Sequence, residues 1–254
     1  MGVYNRYMTI QDFFKVNNKV AIAFSGGVDS AYLLYVAINS GADVMAYYVK
    51  SQFQPEFELE DAIKTAEFIG ARMKVLSVDA LEDPVVRANP HDRCYYCKTH
   101  IMGAITDAAR RDGYELVCDG TNASDEISDR PGVRALREFG IRSPLQESGV
   151  TKPEIRELAK EAGIEVWNKP AYACLATRIP SGEEITEDKL IITEKAEKAL
   201  FEMGYRDFRV RMRGDRALIQ VSASQYEKAA CELDEIIARI GDMYSSVALD
   251  EHTR

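Results

Sequence analysis

The chain has 254 residues, 46% of them hydrophobic and 29% charged, with 16 Gly and 8 Pro; this balance excludes a disordered chain, a collagen-like repeat or a disulfide miniprotein and leaves room for one or two full cores. Thirty-two Lys and Arg against 41 Asp and Glu give a net charge of −9, which works against broad binding to nucleic acid or an anionic membrane. No apolar run approaches the roughly 18 residues of a membrane span, Met1 to Asp12 is polar, and the five cysteines are an odd number, so a cytoplasmic enzyme with thiols for metal or catalysis is expected, with no membrane partner.

An entry helix is expected over Met1 to Asn17, with Ile10, Phe13 and Phe14 spaced for one apolar face. Val20 to Phe24 is a short continuous apolar run that ends in Ser25-Gly26-Gly27, as a strand buried on both faces ends in a glycine loop. The alternation continues with a helix from Ser30 to Asn39, a strand Asp43–Val49, a helix Pro55–Ile69, a strand Met73–Val78, a helix Tyr95–Arg111 and a strand Glu115–Asp119. Strand and helix in such short order predict βαβ units, hence an α/β fold with a parallel sheet and helices on both faces. Thr151-Lys152-Pro153-Glu154 has the capping-box spacing and opens a helix to Gly163. Past Pro180-Ser181-Gly182 the pattern changes to a charged helix ending at Met203, strands Phe208–Met212 and Ala217–Val221, a helix Ser224–Ile240 and a strand near Val247. This places a boundary at 180, with residues 1–180 as the α/β domain and 181–254 as a small α+β domain for substrate binding or oligomerisation.

Ser25-Gly26-Gly27-Val28-Asp29-Ser30 joins the first strand to its helix. Glycines let backbone N–H groups approach an anion, and the helix N-terminus adds its positive dipole end. Asp29 would repel a bare phosphate, so its place there makes sense with a Mg²⁺ ion bridging it to the oxygens; the plainer alternative is a tight turn with an Asp cap. Asp119-Gly120-Thr121-Asn122-Ala123-Ser124-Asp125 follows another apolar strand and should reach the same sheet edge, either as a ligand loop or as an Asx-type turn. Arg130-Pro131-Gly132 adds a guanidinium suited to phosphate.

Cys94 and Cys97 form a C-x-x-C pair preceded by Asn89-Pro90-His91-Asp92-Arg93, and alone leave redox, zinc and iron–sulfur roles open. Cys174 lies in a Pro-bounded segment between Lys169 and Arg178, two cations that would favour its thiolate. Three cysteines on one site would leave one corner of a cubane cluster open. Cys118, in a strand, and Cys231, on a helix, are expected to be packing residues. Arg209, Arg211 and Arg213 alternate along a strand, which puts them on one face, either solvated or as a clamp for an anionic substrate.

The loop Ser25–Ser30 resembles the S-G-G-x-D-S signature of the PP-loop ATP pyrophosphatases, and Gly120-Thr121-Asn122 with Asp125 resembles their G-T-N-x-x-D segment. Taken in order, SGGVDS, NPHDRCYYCK, DGTNASDE, RPG and PAYACLATRIPSGEEIT resemble the LarE family of PP-loop sulfurtransferases over nearly the whole chain. The resemblance implies an adenine nucleotide alpha hydrolase-like sheet. It implies that Ser25, Gly26, Gly27, Val28, Asp29, Ser30, Gly120, Thr121, Asn122, Asp125 and Arg130 hold ATP and Mg²⁺, with Asp29 and Cys174 catalytic. The substrate it implies is an anionic pyridinium dicarboxylate mononucleotide, held by Arg178, Arg209 and Arg211, adenylated and then attacked by sulfur. Family members differ in sulfur source: some sacrifice the counterpart of Cys174, and others use three cysteines to hold a [4Fe-4S] cluster supplied by sulfide or another donor. With Cys94, Cys97 and Cys174 all present, this sequence resembles the cluster type, and a homo-oligomer is implied as well. A PP-loop tRNA thiolase is the alternative, disfavoured because the acidic chain shows no RNA-binding extension.

Overall fold

The computed structural model describes residues 8–125 and 131–253. In chain order its helices and strands are α1 (Ile10–Val16), β1 (Lys19–Ala23), α2 (Val28–Asn39), β2 (Asp43–Lys50), α3 (Glu56–Ile69), β3 (Met73–Ser77), α4 (Pro84–Arg87), α5 (Arg93–Arg111), β4 (Val117–Cys118), α6 (Pro131–Glu138), α7 (Pro144–Glu147), α8 (Lys152–Glu161), α9 (Glu187–Glu202), β5 (Arg209–Arg213), β6 (Arg216–Gln220), α10 (Tyr226–Cys231), α11 (Leu233–Ile240) and β7 (Ser246–Leu249). They form two compact units. The first comprises Met1–Ser51, Glu56–Val78 and Asp92–Lys169, and the second Gln52–Pro55, Asp79–His91 and Pro170–Arg254.

The first unit is built on a parallel sheet of order β3-β2-β1-β4. Side chains alternate across a strand, and here both faces are apolar. Val20 and Ile22 of β1 pack with Phe13, Phe14, Leu33 and Leu34 on one face, while Ala21 between them packs with Met102, Ile105 and Ala109 of α5 on the other. On β2, Val44, Ala46 and Tyr48 join the first cluster, and Tyr47 and Val49 the second. Each fully buried Leu or Phe in such a core contributes about 1.5–3 kcal/mol. β4 is shorter than the strand expected over 115–119. Its end is set by Asp119, whose backbone N–H bonds Arg142 O at 2.9 Å while its carboxylate turns to Thr121 and Ser143. Cys118 is fully buried in that strand, as a packing residue should be.

In the second unit β5 and β6 are antiparallel, and β6 pairs with β7 in parallel. A parallel neighbour needs a crossover, and α10 and α11 supply it. Leu190, Ala196 and Leu200 of α9, Val210 and Met212 of β5, Ile219 of β6 and Ile236 and Ile240 of α11 are all buried. The single helix expected over 224–240 is bent at Glu232. Helical hydrogen bonds continue through the bend (Glu232 N–H to Lys228 O, 2.9 Å; Ile236 N–H to Glu232 O, 3.0 Å), and the Glu232 carboxylate accepts from the Tyr205 hydroxyl at 2.8 Å. Cys231, at the end of α10, is exposed rather than packed, which corrects its expected role. Among the described residues no helix is long and apolar enough to cross a membrane.

Candidate active site

Past the end of β1 the chain turns through Ser25 and Gly26 into α2. Gly26 has φ +76°, and a Cβ there would stand 2.8 Å from the Cβ of Ala62 on α3, so both backbone and space require glycine. Gly27 caps α2 without a side-chain hydrogen bond, so no side chain takes up the N–H groups of the helix's first turn. Ser30 closes the loop from within: its hydroxyl donates to Gly27 O at 3.0 Å and accepts from the Ser25 N–H at 3.2 Å. Helix dipole, bare amides and the Ser25 hydroxyl together make an anion cradle.

The second loop is pressed onto the first. A Cβ at Gly120 would lie 2.8 Å from the Ser30 nitrogen, so only glycine permits this approach. Asp119, beneath it, accepts from Thr121 Oγ1 at 2.6 Å and from Ser143 Oγ at 2.7 Å. Asn122 is buried; its N–H donates to Asp125 Oδ2 at 3.0 Å, and its amide donates to Asp29 Oδ1 at 3.4 Å. Sequence reasoning singled out Ser25 to Ser30 and Gly120, Thr121, Asn122 and Asp125, and the structure brings all of them to one edge of the sheet. Arg130 lies outside the described residues.

Lys152 was missed. It is the first residue of α8, its N–H donates to Ser124 Oγ at 2.9 Å, and its ammonium is ion-paired with Asp29 Oδ2. The capping box just before it is a sequence signal that a helix N-terminus stands there; nothing local tells where its ammonium reaches. The carboxylate of Asp29, out of place beside a phosphate cradle by itself, is thus neutralised by Lys152. One carboxylate beside phosphate oxygens is also the donor set Mg²⁺ takes in nucleotide sites, so Asp29 fits that ion.

Cys94 and Cys97 lie one helical turn apart at the start of α5, the first exposed and the second half-buried. Tyr95 between them fixes that turn: its hydroxyl donates to Glu138 Oε2 at 2.7 Å, and the Arg134 guanidinium stacks 3.5 Å over its ring. Cys174 belongs to the second unit, at the start of a single 3₁₀ turn, Leu175–Arg178. None of the five cysteines forms a disulfide. Among the described residues no group of three His, Cys, Asp or Glu side chains stands ready to hold a metal ion.

The arginines expected to clamp a substrate are largely committed to the Cys174 segment itself. Arg178 is 0% exposed, donates to Glu197 Oε1 and Oε2 at 2.7 and 2.9 Å, and donates to Ala173 O at 2.7 Å. In this conformation it presents no surface to a ligand, because the buried Glu197 claims its charge. Arg209, 4% exposed, donates to Ala171 O at 2.9 Å and to Phe208 O at 2.6 Å. Arg211 donates to Thr177 O at 3.2 Å but remains half-buried, and Arg213 is exposed at the hairpin. The Tyr172 hydroxyl bonds Glu197, and burial followed by that carboxylate's charge pushes its pKa up. Lys169, expected to act on Cys174, is ion-paired with Asp61 at 2.8 Å.

No family model matches the chain. It is 36% identical over 205 residues to the pyridinium-3,5-bisthiocarboxylic acid mononucleotide synthase of Lactiplantibacillus plantarum, covering 80% of this chain and 74% of that one. An uncharacterised protein of Synechocystis is 35% identical over 247 residues, or 95% of this chain and 92% of its own. More distantly, the tRNA-specific 2-thiouridylase MnmA of a Thermotoga strain is 26% identical, with 77% and 68% covered, and shares the PP-loop fold. A parallel sheet with an SGGVDS cradle, and this degree of identity over most of both chains, carry one conclusion: the protein is an enzyme of the LarE-type PP-loop sulfurtransferases and belongs to the family of the pyridinium-3,5-bisthiocarboxylic acid mononucleotide synthase.

Proposed function

We propose that this enzyme activates a carboxylate of a pyridinium dicarboxylate mononucleotide with ATP, releasing pyrophosphate, and that sulfur then displaces AMP to leave a thiocarboxylate. The observation that carries the reading is the Asp29–Lys152–Asn122 constellation at the N-terminus of α2. A free carboxylate is a poor electrophile, and AMP gives it a leaving group. The α2 amides and Ser25 receive the phosphate oxygens, and Lys152, once released from Asp29, meets the charge that develops on departing pyrophosphate; Asp29 would hold Mg²⁺, which when bound would offset phosphate charge. Arg211, with its half-exposed guanidinium, faces the anionic substrate. Arg178 and Arg209 hold the Cys174 segment in place, and residues 181–254 contribute the substrate-binding and oligomerising part of the molecule.

Cys94, Cys97 and Cys174 are the sulfur-handling thiols. Thiolates are the donors that iron–sulfur clusters take, and these three, which the described residues do not gather as a ready metal site, would hold a [4Fe-4S] cluster with one open iron. Such a cluster, when bound, would supply a labile sulfide for repeated turnovers. The test is intact-protein mass after reaction, with turnover counted in parent and Cys94→Ala enzyme. Unchanged mass at 174 and loss of turnover in Cys94→Ala support the reading; dehydroalanine at 174 with full activity in that variant replaces it with sacrificial sulfur donation.

A further inference from the structure

Both carboxylate oxygens of Asp29 already face a donor from within the protein. Oδ2 is ion-paired with the Lys152 ammonium, and Oδ1 accepts from the Asn122 amide at 3.4 Å. Those two partners are tied to one residue of the second loop. The Ser124 N–H donates to Asn122 Oδ1 at 2.9 Å, and Ser124 Oγ accepts from the Lys152 N–H at 2.9 Å. Asp29, Asn122, Ser124 and Lys152 thus close a ring in which each is bonded to the next. The loop side of the ring is braced by the Ala123 N–H, which donates to Val150 O at 2.9 Å, and by the Asn122 N–H, which donates to Asp125 Oδ2 at 3.0 Å. All of these residues belong to the first unit.

Mg²⁺ takes oxygen ligands and is held in nucleotide sites by a carboxylate together with phosphate oxygens and water. The Asn122 bond is long, and a neutral amide does not repel a cation; the ammonium on Oδ2 does. Lys152 is therefore what a divalent cation must displace to reach Asp29. Its backbone is fixed by Ser124 and by the start of α8, so the exchange needs only its flexible stem to swing. The side chains of Lys152 and Asp29 are 33% and 24% exposed, and an ion pair that water reaches is weak enough to be exchanged. We infer that Lys152 is an internal counter-ion that keeps the place of Mg²⁺ on Asp29 until nucleotide arrives. Without nucleotide it shuts the divalent cation out; with nucleotide, the phosphate oxygens give the ammonium a second anion to pair with. Divalent-cation binding and ATP binding are thereby coupled through one lysine. The inference rests on the reading of Asp29 as the Mg²⁺ ligand.

The test measures binding rather than turnover. Mn²⁺ is the probe, titrated into the full-length enzyme with and without ATP, and the free ion is read by its electron paramagnetic resonance against ATP alone. Without ATP, Lys152→Met should bind Mn²⁺ about tenfold more tightly than the parent, the scale for removing one charge beside a partly exposed carboxylate. Lys152→Arg, which keeps the charge, should match the parent. Adding ATP should raise Mn²⁺ affinity by a larger factor in the parent than in Lys152→Met, because only the parent has an ammonium to hand over. Combining Asp29→Asn with Lys152→Met should abolish the nucleotide-free gain. Equal nucleotide-free affinities in parent and Lys152→Met, or a gain that survives Asp29→Asn, would overturn the inference. ATP-dependent Mn²⁺ binding that Asp29→Asn leaves unchanged would instead remove the metal reading on which it rests. Lys152→Gln, polar and of similar reach, takes the place of Lys152→Met should the latter fail to fold.

Discussion

Asp29 and Lys152 show how a single pairing resolves a local contradiction. A carboxylate at a helix N-terminus opposes any anion drawn there by the dipole, and the structure sets against it an ammonium that arrives from 123 residues away in the chain. Lys152→Ala should therefore leave the fold intact and reduce pyrophosphate release by roughly 10²–10³-fold, the scale for losing one preorganised charge partner in a transition state. Steady-state pyrophosphate assays check this, and a rate within threefold of the parent would show that Lys152 only caps Asp29. The cysteines separate at the same scale. Burial pushes the Cys118 thiol up, away from the nucleophilic thiolate, whereas Cys94 and Cys231 are exposed. Brief iodoacetamide treatment of the native enzyme should label Cys94 and Cys231 and spare Cys118 until the chain is unfolded. Labelling of Cys118 at the rate of Cys231 would contradict its place in β4.

Helices α8 and α9 hold the segments of Lys152 and Arg178, and they were unequally legible. The capping box of α8 could be read because it is local: Thr151 N–H and hydroxyl both donate to the Glu154 carboxylate, at 2.8 and 2.6 Å. Those two bonds, the hydroxyl's first, hold the Glu154 pKa below its ordinary value. A depressed carboxylate stabilises the fold above its unfolded pKa, and that contribution disappears as pH falls through the lower, folded value. The gap in melting temperature between parent and Glu154→Gln should accordingly narrow on acidification, and a gap that widened would reverse the assignment. Helix α9 was harder to read. Its sequence, EDKLIITEKAEKALFE, presents Glu197 as one more surface charge, whereas the fold buries it against Arg178, Tyr172 and the Val210 N–H. Its partner lies in a 3₁₀ turn that carries no periodicity of its own. Glu197→Ala would leave a guanidinium buried without its counter-ion, at a cost of about 3–5 kcal/mol. Thermal unfolding measures it, and a loss under about 1 kcal/mol, the level of an exposed pair, would mean the pair is open to water.

For the molecule as a whole, the parallel sheet was legible because its inner strands β1 and β2, apolar on both faces, leave nearly continuous apolar runs, whereas the edge strand β3 is half exposed and was read from its place in the alternation. The make-up of the second unit was not legible. Asp79–His91 stands between an α/β strand and helix without any shift in composition, and it joins the second unit through Asn89 and Arg87, whose partners lie about 90 residues on. Charge, by contrast, is a property of the whole chain and bears on which substrate it serves. The thiouridylase relatives act on tRNA by name. A protein that holds tRNA neutralises several phosphates, so its affinity falls steeply with salt. Here 41 acidic residues outweigh 32 basic ones, and Arg178 and Arg209 spend their donors on the protein's own carbonyls. Pyrophosphate release should therefore require the pyridinium mononucleotide and remain unchanged when tRNA is added. Raising salt from 50 to 200 mM should alter it by severalfold at most, against the roughly 10³–10⁵-fold affinity loss of a many-phosphate contact. The measurement is pyrophosphate release with each acceptor alone at both salt concentrations. Release that depends on tRNA and collapses with salt would reassign the chain's substrate to RNA while leaving its ATP chemistry in place.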